Sequence, residues 1–364
     1  MKYQRIPYKA EGTAFTLKKF PFSLGEHAVP VMDYPITPVE NFKLAWKHKT
    51  PVWAPISQTD FDTISLGKTS PFEKLKMKKE RFEFTDEWGC EWVYVPEVGG
   101  AMLKPGTKIL EDITDWESVL KFPDWKTQDF KTLADGFHSR RANLDTVVSV
   151  DIGSGGTERL VAILGGYEEA MLAMAVEPEA VHDFMMAEAD NMIRRFDAVK
   201  EYYPTINMVT YHDDWGTERD TFFSAQYLED MVLESTKKLV DHVKASGDIC
   251  FQLHCCGKVE RFVPYMIDLG IDMLEIQRRS NDIPMLKQKY GDKIGFECMI
   301  EGTQVSHSMS NEEILEKVKE TVELYGKNGG FYLNLGAIRD EKLRWDACYE
   351  AYCYSREYYD KERA

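Results

Sequence analysis

The sequence predicts an α/β fold, a closed barrel of parallel strands with helical crossovers and an elaborated N-terminal cap. From about residue 146, short apolar segments alternate with long amphipathic ones at the spacing of strand-helix-strand units. No strand is followed by the GxGxxG of a dinucleotide-binding sheet, which favours closure over an open sheet. Residues able to bind metal or move protons fall at the C-terminal ends of the strands, the face where such barrels carry their chemistry.

Taken in order, residues 1 to about 140 read as an irregular, aromatic-rich cap around one early strand, Val52 to Ser57. The regular part follows, with strands at Thr146–Ile152, Asn207–Tyr211, Ile249–Leu253, Ile271–Ile276, Ile294–Ile300 and Phe331–Leu335. Helices are expected at Ala180–Lys200, Ala225–Ala245, Val259–Leu269 and Asn311–Tyr325, where apolar residues recur at helical spacing. No linker or low-complexity tract divides the chain, so all 364 residues are expected to form one domain.

The net charge of -16, from 45 Lys and Arg against 61 Asp and Glu, argues against nucleic acid or an anionic membrane as partner, since both require a basic footprint. No apolar run approaches the ~20 residues of a membrane span, and the charged N-terminus lacks a signal core, so a cytoplasmic location is expected. Seven cysteines in such a chain point to metal or catalysis rather than a disulfide framework.

The richest constellation is His254-Cys255-Cys256-Gly257. In an extended strand His254 and Cys256 share a face, and an imidazole with a thiolate is a natural zinc pair. A third ligand is sought on the neighbouring segment 294–301. There Ile294, Phe296, Cys298 and Ile300 share one face, whereas Glu297, Met299 and Glu301 share the other. Parity favours Glu301, softness favours Cys298, and a bulge would reverse the parity. Tyr211-His212-Asp213-Asp214 offers acid/base carboxylates, Asp213 and Asp214, beside a strand end; an acidic helix cap is the plainer alternative. Gln277, Asn334 and Tyr211 are candidates to contact substrate. The glycine-rich loop after Asp151 lacks the Lys-Ser/Thr of a phosphate loop, and leaves Glu158 facing a cavity.

Together these segments resemble the uroporphyrinogen decarboxylase superfamily over nearly the whole chain. Thr37-Pro38-Val39-Glu40-Asn41-Phe42, Asp86-Glu87-Trp88-Gly89, Phe122-Pro123-Asp124, Asp213-Asp214-Trp215-Gly216, His254-Cys255-Cys256-Gly257 and Ile300-Glu301 follow in the family's order. The resemblance implies a (β/α)8 TIM barrel, with residues 1–140 as cap and first strand and 141–364 as the regular part. The decarboxylases carry an arginine-rich N-terminal segment; here Arg5 and Arg81 stand isolated. The corrinoid-dependent zinc methyltransferases carry His-x-Cys-Gly, matched by His254 and Cys256, but take a cysteine from the last strand, which here reads Phe331-Tyr332-Leu333-Asn334.

The resemblance therefore implies a zinc enzyme with His254 and Cys256 as ligands, working with a corrinoid (cobalamin) protein and a small-molecule methyl donor; strand parity puts Glu301 ahead of Cys298 as the third ligand. An oxygen-containing ligand set suits activation of a methoxy group, hence O-demethylation, with the cap aromatics Trp46, Trp53, Phe61, Trp88 and Trp92 as possible walls for an aromatic substrate. The alternatives are methylcorrinoid-to-thiol or -folate transfer, a tetrapyrrole-binding protein without turnover, and decarboxylation. Oligomeric state, a homodimer included, stays open.

Overall fold

The structure is a computed structural model that describes residues 3–14, 27–64, 66, 80–96, 100–141, 145–300, 309–338 and 340–363. Among the described residues three sheets are built from twelve strands. A hairpin-like pair, β1 (Ala10–Ala14) and β2 (His27–Pro30), is antiparallel. The main sheet contains β3 (Phe61–Ile64). A second antiparallel sheet comprises β4 (Phe82–Thr85), β5 (Glu91–Val95) and β6 (Gly100–Leu103). The remaining strands are β7 (Val147–Ser154), β8 (Met208–His212), β9 (Cys250–Cys255), β10 (Met273–Ile276), β11 (Gly295–Met299) and β12 (Phe331–Asn334).

The main sheet is parallel and curled, in the order β12-β11-β10-β9-β8-β7-β3. Ile56, just ahead of β3, makes a parallel bridge to Leu333 of β12, and Leu333 N donates to Pro55 O at 2.8 Å. The chain thus brings the two edges of the sheet round toward each other, and the architecture is TIM-barrel-like.

The six strands expected from residue 146 onward are all present, each within two residues of the expected bounds. The early strand differs. Only Ile56 pairs, because the donors of its neighbours are taken by side chains: Val52 N and Trp53 N donate to Asn41 Oδ1, and Ala54 N to Ser355 Oγ. Pro51 and Pro55 have no donor to offer. After a helical turn at Ser57–Asp60 the ladder is taken up by β3, which alternation alone did not reveal.

The helices follow local rules. Those at Pro38–Trp46 and Asn311–Tyr325 open on reciprocal capping boxes, Thr37 with Glu40 and Ser310 with Glu313. The expected helix Ala180–Lys200 spans Pro178–Tyr202. The one expected at Ala225–Ala245 passes through a π turn at Leu228–Val232 before running regularly over Leu233–Ala245. Helices Phe130–Arg141, Gly156–Leu164, Tyr167–Val176 and Glu341–Glu362 complete the long elements among the described residues. Among the described residues no helix is long and apolar enough to cross a membrane.

The sheet interior is layered. At the N-terminal ends of the strands Phe61, Val147, Met208, Cys250 and Met273 form an apolar floor, sealed from below by Phe42 and Trp46 of the helix Pro38–Trp46. Above it lies a buried polar layer. Gln252 Nε2 donates to Glu297 Oε2 at 3.0 Å and to the Tyr332 hydroxyl at 2.9 Å, and the Tyr332 hydroxyl also donates to Glu297. Asn334 Nδ2 donates to Glu297 Oε1. Buried polar groups so paired cost little and hold the strands in register.

The Asp86-Glu87-Trp88-Gly89 segment is a structural turn. The Asp86 carboxylate accepts from Trp88 N, Cys90 N and Trp92 Nε1, each at 2.9 Å, and from Arg159 Nη1 at 2.8 Å. Asp86 and Arg159 are both buried, so the pair bolts the β4–β6 sheet to the helix Gly156–Leu164. Removing one partner strands the other charge. Arg159→Ala is expected to lower the free energy of urea unfolding by about 3–5 kcal/mol, whereas Lys131→Ala, at an exposed pair with Asp135, should leave the midpoint unchanged.

Candidate metal centre

The period of two along β9 decides which side chains meet. His254 and Cys256 project to one face at the strand's C-terminal end, and Cys255 to the other, where it is wholly buried. On β8, in register with His254, His212 stacks its ring on the His254 ring at 4.3 Å between centroids and 25° between planes. Asp214 lies two residues on. Its carboxylate, His254 and Cys256 each offer a ligand atom, and these atoms all lie within 4.8 Å of one another.

Each member is held from behind. His254 Nε2 is 3.3 Å from Cys256 Sγ, while Nδ1 is 3.3 Å from Glu275 Oε2 of β10. Gln277 Nε2 donates to Cys256 Sγ at 3.2 Å, and its Oε1 accepts from Gly257 N at 3.1 Å. Asp214 Oδ1 accepts from Cys256 N at 2.6 Å, which leaves Oδ2 for another partner. The two turns that carry these residues are in backbone contact. Gly257 has φ +80°, and a Cβ there would lie 2.1 Å from the Gly216 carbonyl; one at Gly216 would lie 2.7 Å from Lys258 N. Only glycine fits at either point.

The electrostatics follow from this packing. Burial alone would depress the His254 pKa, but the Glu275 carboxylate, with Cys256, outweighs it and holds the value well above ordinary. Burial pushes the Cys256 thiol up, against His254, which pulls it down. His212 also gains protons: burial opposes this, but Asp151, with Oδ2 at 3.0 Å from His212 Nε2, prevails. The Glu158 carboxyl, in the first turn of the helix Gly156–Leu164, is pushed up to about 7 by burial and by Asp214.

The other expected site residues are distributed by the same parity. Gln277 lies at the mouth with the cluster, and Glu158 stands in the first turn of the helix after the glycine loop, its backbone N donating to Asp213. Asn334 is lower, in the Glu297 layer, and also accepts from Gln58 Nε2 at 3.0 Å. Tyr211 and Asp213, expected in the mouth, are instead buried beneath the glycine loop, because each is one residue out of phase with His212. Asp213 accepts from Glu158 N at 3.1 Å and Trp215 Nε1 at 2.8 Å, and a Cβ at Gly156 (φ +52°) would lie 2.3 Å from its Oδ2. Asp213 thereby holds the start of the helix that follows the loop. Glu301 lies outside the described residues. Cys298 is buried on the outer face of β11, with Phe296 and Ile300 likewise buried.

The cap aromatics are core: Trp53 Nε1 donates to Asp60, Trp92 Nε1 to Asp86, and Trp46 and Phe61 belong to the floor. The aromatic surface beside the cluster comes from residues that the sequence did not single out. Tyr167 stacks on Phe222 at 4.4 Å and 16° and is 45 % exposed. Its phenol pKa is raised by burial and by the charges of Glu158, Asp214 and Cys256. Glu275 was also passed over, although the same parity that selects Gln277 places it one pleat below.

A parallel curled sheet with a mixed nitrogen, sulfur and oxygen cluster at its C-terminal mouth defines a barrel-type protein with a candidate metal centre. The sequence profile of the uroporphyrinogen decarboxylase (URO-D) family matches residues 84–338, and the chain belongs to that family. A methyltransferase from Methanosarcina mazei shares the fold, with a TM-score of 0.59 and 14% identity, over 90% of this chain and 100% of that one. A methionine synthase from Methanothermobacter thermautotrophicus is 28% identical over 99 residues, which are 26% of this chain and 32% of that relative. The match thus spans about a third of the relative's length.

Two outcomes test this geometry. Gly257→Ala should displace the two turns and lower the thermal midpoint by several degrees, read by circular dichroism. In metal-free protein, folding raises the His212 pKa above its ordinary 6.5. The stability contributed by the Asp151 pair is therefore complete below that pH and fades as pH rises through the folded value. Asp151→Asn should remove that pH dependence and shift the His212 titration downward in NMR spectra.

Proposed function

We propose that this chain is a zinc-dependent methyltransferase that moves a methyl group from a methoxylated aromatic donor to the reduced cobalt of a corrinoid protein. The observation that carries the reading is the convergence of Asp214, His254 and Cys256 at the strand-end mouth. A carboxylate, an imidazole and a thiolate together suit zinc better than the hard-oxygen cations, and three protein ligands leave one position open. In this reading Asp214 takes the place expected of Glu301, and the ligand set still contains oxygen.

Zinc held there supplies a Lewis acid for the ether oxygen of the donor. The protein's own groups prepare the site. The Glu275 carboxylate, with Oε2 3.3 Å from His254 Nδ1, favours a proton on Nδ1, so that Nε2 faces the cluster. The Gln277 amide hydrogen-bonds the Cys256 sulfur and favours its thiolate. Asp214, bonded to Cys256 N, sets the distance between the second and third ligands. Glu158 and Gln277 border the donor, and Tyr167 with Phe222 supplies an aromatic surface for it. The fold neighbour named as a methyltransferase and the sequence relative named as a methionine synthase support methyl transfer as the reaction type. The same reading takes the chain as one cytoplasmic domain, with Val52–Ile56 as the stave that completes an eight-stranded barrel.

The methionine synthase match favours a second reading, transfer from methylcorrinoid to a thiol. Decarboxylation is weakened by Arg5, whose guanidinium is engaged with Glu350 at 2.8 Å and with Glu357 at 2.5 Å.

Purified protein mixed with cob(I)alamin and methoxylated aromatics is expected to give methylcobalamin absorbance; silence with every methoxylated, methylamine and methylthiol donor would sink methyl donation. Methylcobalamin with thiols tests the reverse direction. Zinc should bind stoichiometrically to wild type and to Cys298→Ser, and be lost from Asp214→Asn, His254→Ala and Cys256→Ser. Retention of zinc by all three would remove this centre. Glu275→Gln is expected to weaken zinc binding by roughly 10–100-fold in competition with a chelator.

A further inference from the structure

We propose that the outward face of the helix Tyr167–Val176, with the acidic groove beyond its end, is the docking surface for the protein that carries the corrin. That partner meets it with an apolar patch rimmed by lysine or arginine. The inference rests on the corrinoid methyl-transfer reading above.

The face runs against the usual pattern, in which a surface helix turns its polar side to water. This helix buries Ala170, Ala173 and Met174 and presents Leu172 and Val176, each 60 % exposed, with Ala175 exposed and Met171 half-buried beside them. Leu172 and Val176 are four residues apart and so share one stripe. No described large apolar side chain is more exposed than these two. An exposed apolar stripe rimmed by charge marks an interaction site.

The rim carries one sign of charge. Residues 160–193 hold seven Asp and Glu and no Lys or Arg. Glu168, Glu169, Glu177 and Glu179 form no ion pair among the described residues. The acids of the helix Glu341–Glu362 differ: Asp346, Glu350, Glu357 and Asp360 are paired with Lys342, Arg5 and Arg363. Just past Val176, Pro178, Glu179, His182, Asp183 and Asp230 line a surface groove of about 460 Å³. His182 is engaged with Asp183 at 3.2 Å and Glu234 at 3.1 Å, whereas Glu179 and Asp230 have no cation among the described residues. A partner's lysine or arginine side chain suits the groove in size and charge.

The helix starts at the mouth. Tyr167, its first residue, stacks on Phe222 at 4.4 Å, and Phe222 N donates to Trp215 O at 2.9 Å, next to Asp214 of the cluster. From there the stripe runs about 15 Å along the helix. A protein seated on its whole length reaches the rim of the mouth, where a group it carries can meet the cluster. The charge disfavours other occupants. A two-fold contact between copies would press the same acids together, and an anionic membrane or a nucleic acid would meet them too.

The test compares two acceptors for the methyl group of a methoxylated aromatic donor. One is free cob(I)alamin. The other is a corrinoid protein reconstituted with cobalamin and reduced, chosen from a panel as the one with the lowest KM for wild type. Leu172→Glu with Val176→Glu is expected to raise the KM for the corrinoid protein about 10-fold or more, and to leave transfer to free cob(I)alamin unchanged. Glu177→Gln with Glu179→Gln should raise the same KM about threefold and flatten its dependence on salt. If the first variant also lost transfer to free cob(I)alamin, its fold would be at fault and the glutamine pair would decide. An unchanged KM, or a wild type that prefers free cob(I)alamin to every corrinoid protein, overturns the inference and leaves the methyl-transfer reading intact. So does a wild-type dimer that Leu172→Glu with Val176→Glu turns into monomer in sedimentation, since a second copy would then cover the face. Absence of transfer to either acceptor overturns that reading and the docking surface with it.

Discussion

The candidate centre depends on one steric constraint, the contact between Gly216 and Gly257. With no side chain on either residue, the turn after β8 lies directly on the turn after β9. Hydrogen bonds then zip the turns together: Asp213 N to His254 O at 3.0 Å, Cys256 N to Asp214 Oδ1 at 2.6 Å, and Lys258 N to Thr217 O at 2.7 Å. A metal-competent group drawn from two strands requires their ends to be fixed to a fraction of an ångström, and backbone contact achieves this more rigidly than interlocking side chains. The glycines of Asp213-Asp214-Trp215-Gly216 and His254-Cys255-Cys256-Gly257 are thus as much a part of the site as the groups they place.

The alternation of faces along each strand then sorts the chemistry. On β8, His212 and Asp214 take the mouth, while Tyr211 and Asp213 go under the glycine loop. On β9, His254 and Cys256 take the mouth and Cys255 goes into the core; on β10, Glu275 and Gln277 stand behind them. Two layers of support result. Buried groups such as Asp213 fix backbone, and exposed-side groups such as Glu275 and Gln277 fix the orientation and charge of the ligand atoms. Chemically similar neighbours, Asp213 and Asp214, thereby acquire unlike roles one residue apart.

This sorting also explains what was legible in the sequence. The strands after residue 146 were clear because each is a short apolar run bounded by turn residues, and a parallel sheet covered on its outer face demands such runs. His254 and Cys256 were legible because their spacing and the strand period agree. Asp214 was harder, since the sequence offers Asp213 and Asp214 as equals and only the phase of β8 separates them. The first part of the chain resisted reading for another reason: the donors of Val52 to Ala54 are satisfied by Asn41 and Ser355, partners remote in sequence that no local pattern reveals. Tyr167 escaped because a tyrosine opening an apolar helix looks like core until the fold exposes it.

The charge balance of the mouth favours a neutral donor over a charged one. Were a divalent cation held in the proposed way, the carboxylate of Asp214 and the thiolate of Cys256 would offset its two positive charges. Asp151 pairs with His212 and holds its pKa above the ordinary value. Glu275 is engaged with His254, and burial with the charge of Asp214 pushes the Glu158 carboxyl up to about 7. A permanent cation would be drawn to the acidic rim but would face the metal, and an anion would face the rim. An aryl ether carries no charge on approach and develops it on the oxygen only as the methyl group departs, where an electrophile is most useful. The mouth is therefore acidic on balance, a poor match for a polyanionic tetrapyrrole and a better one for the neutral donor of the proposed reading.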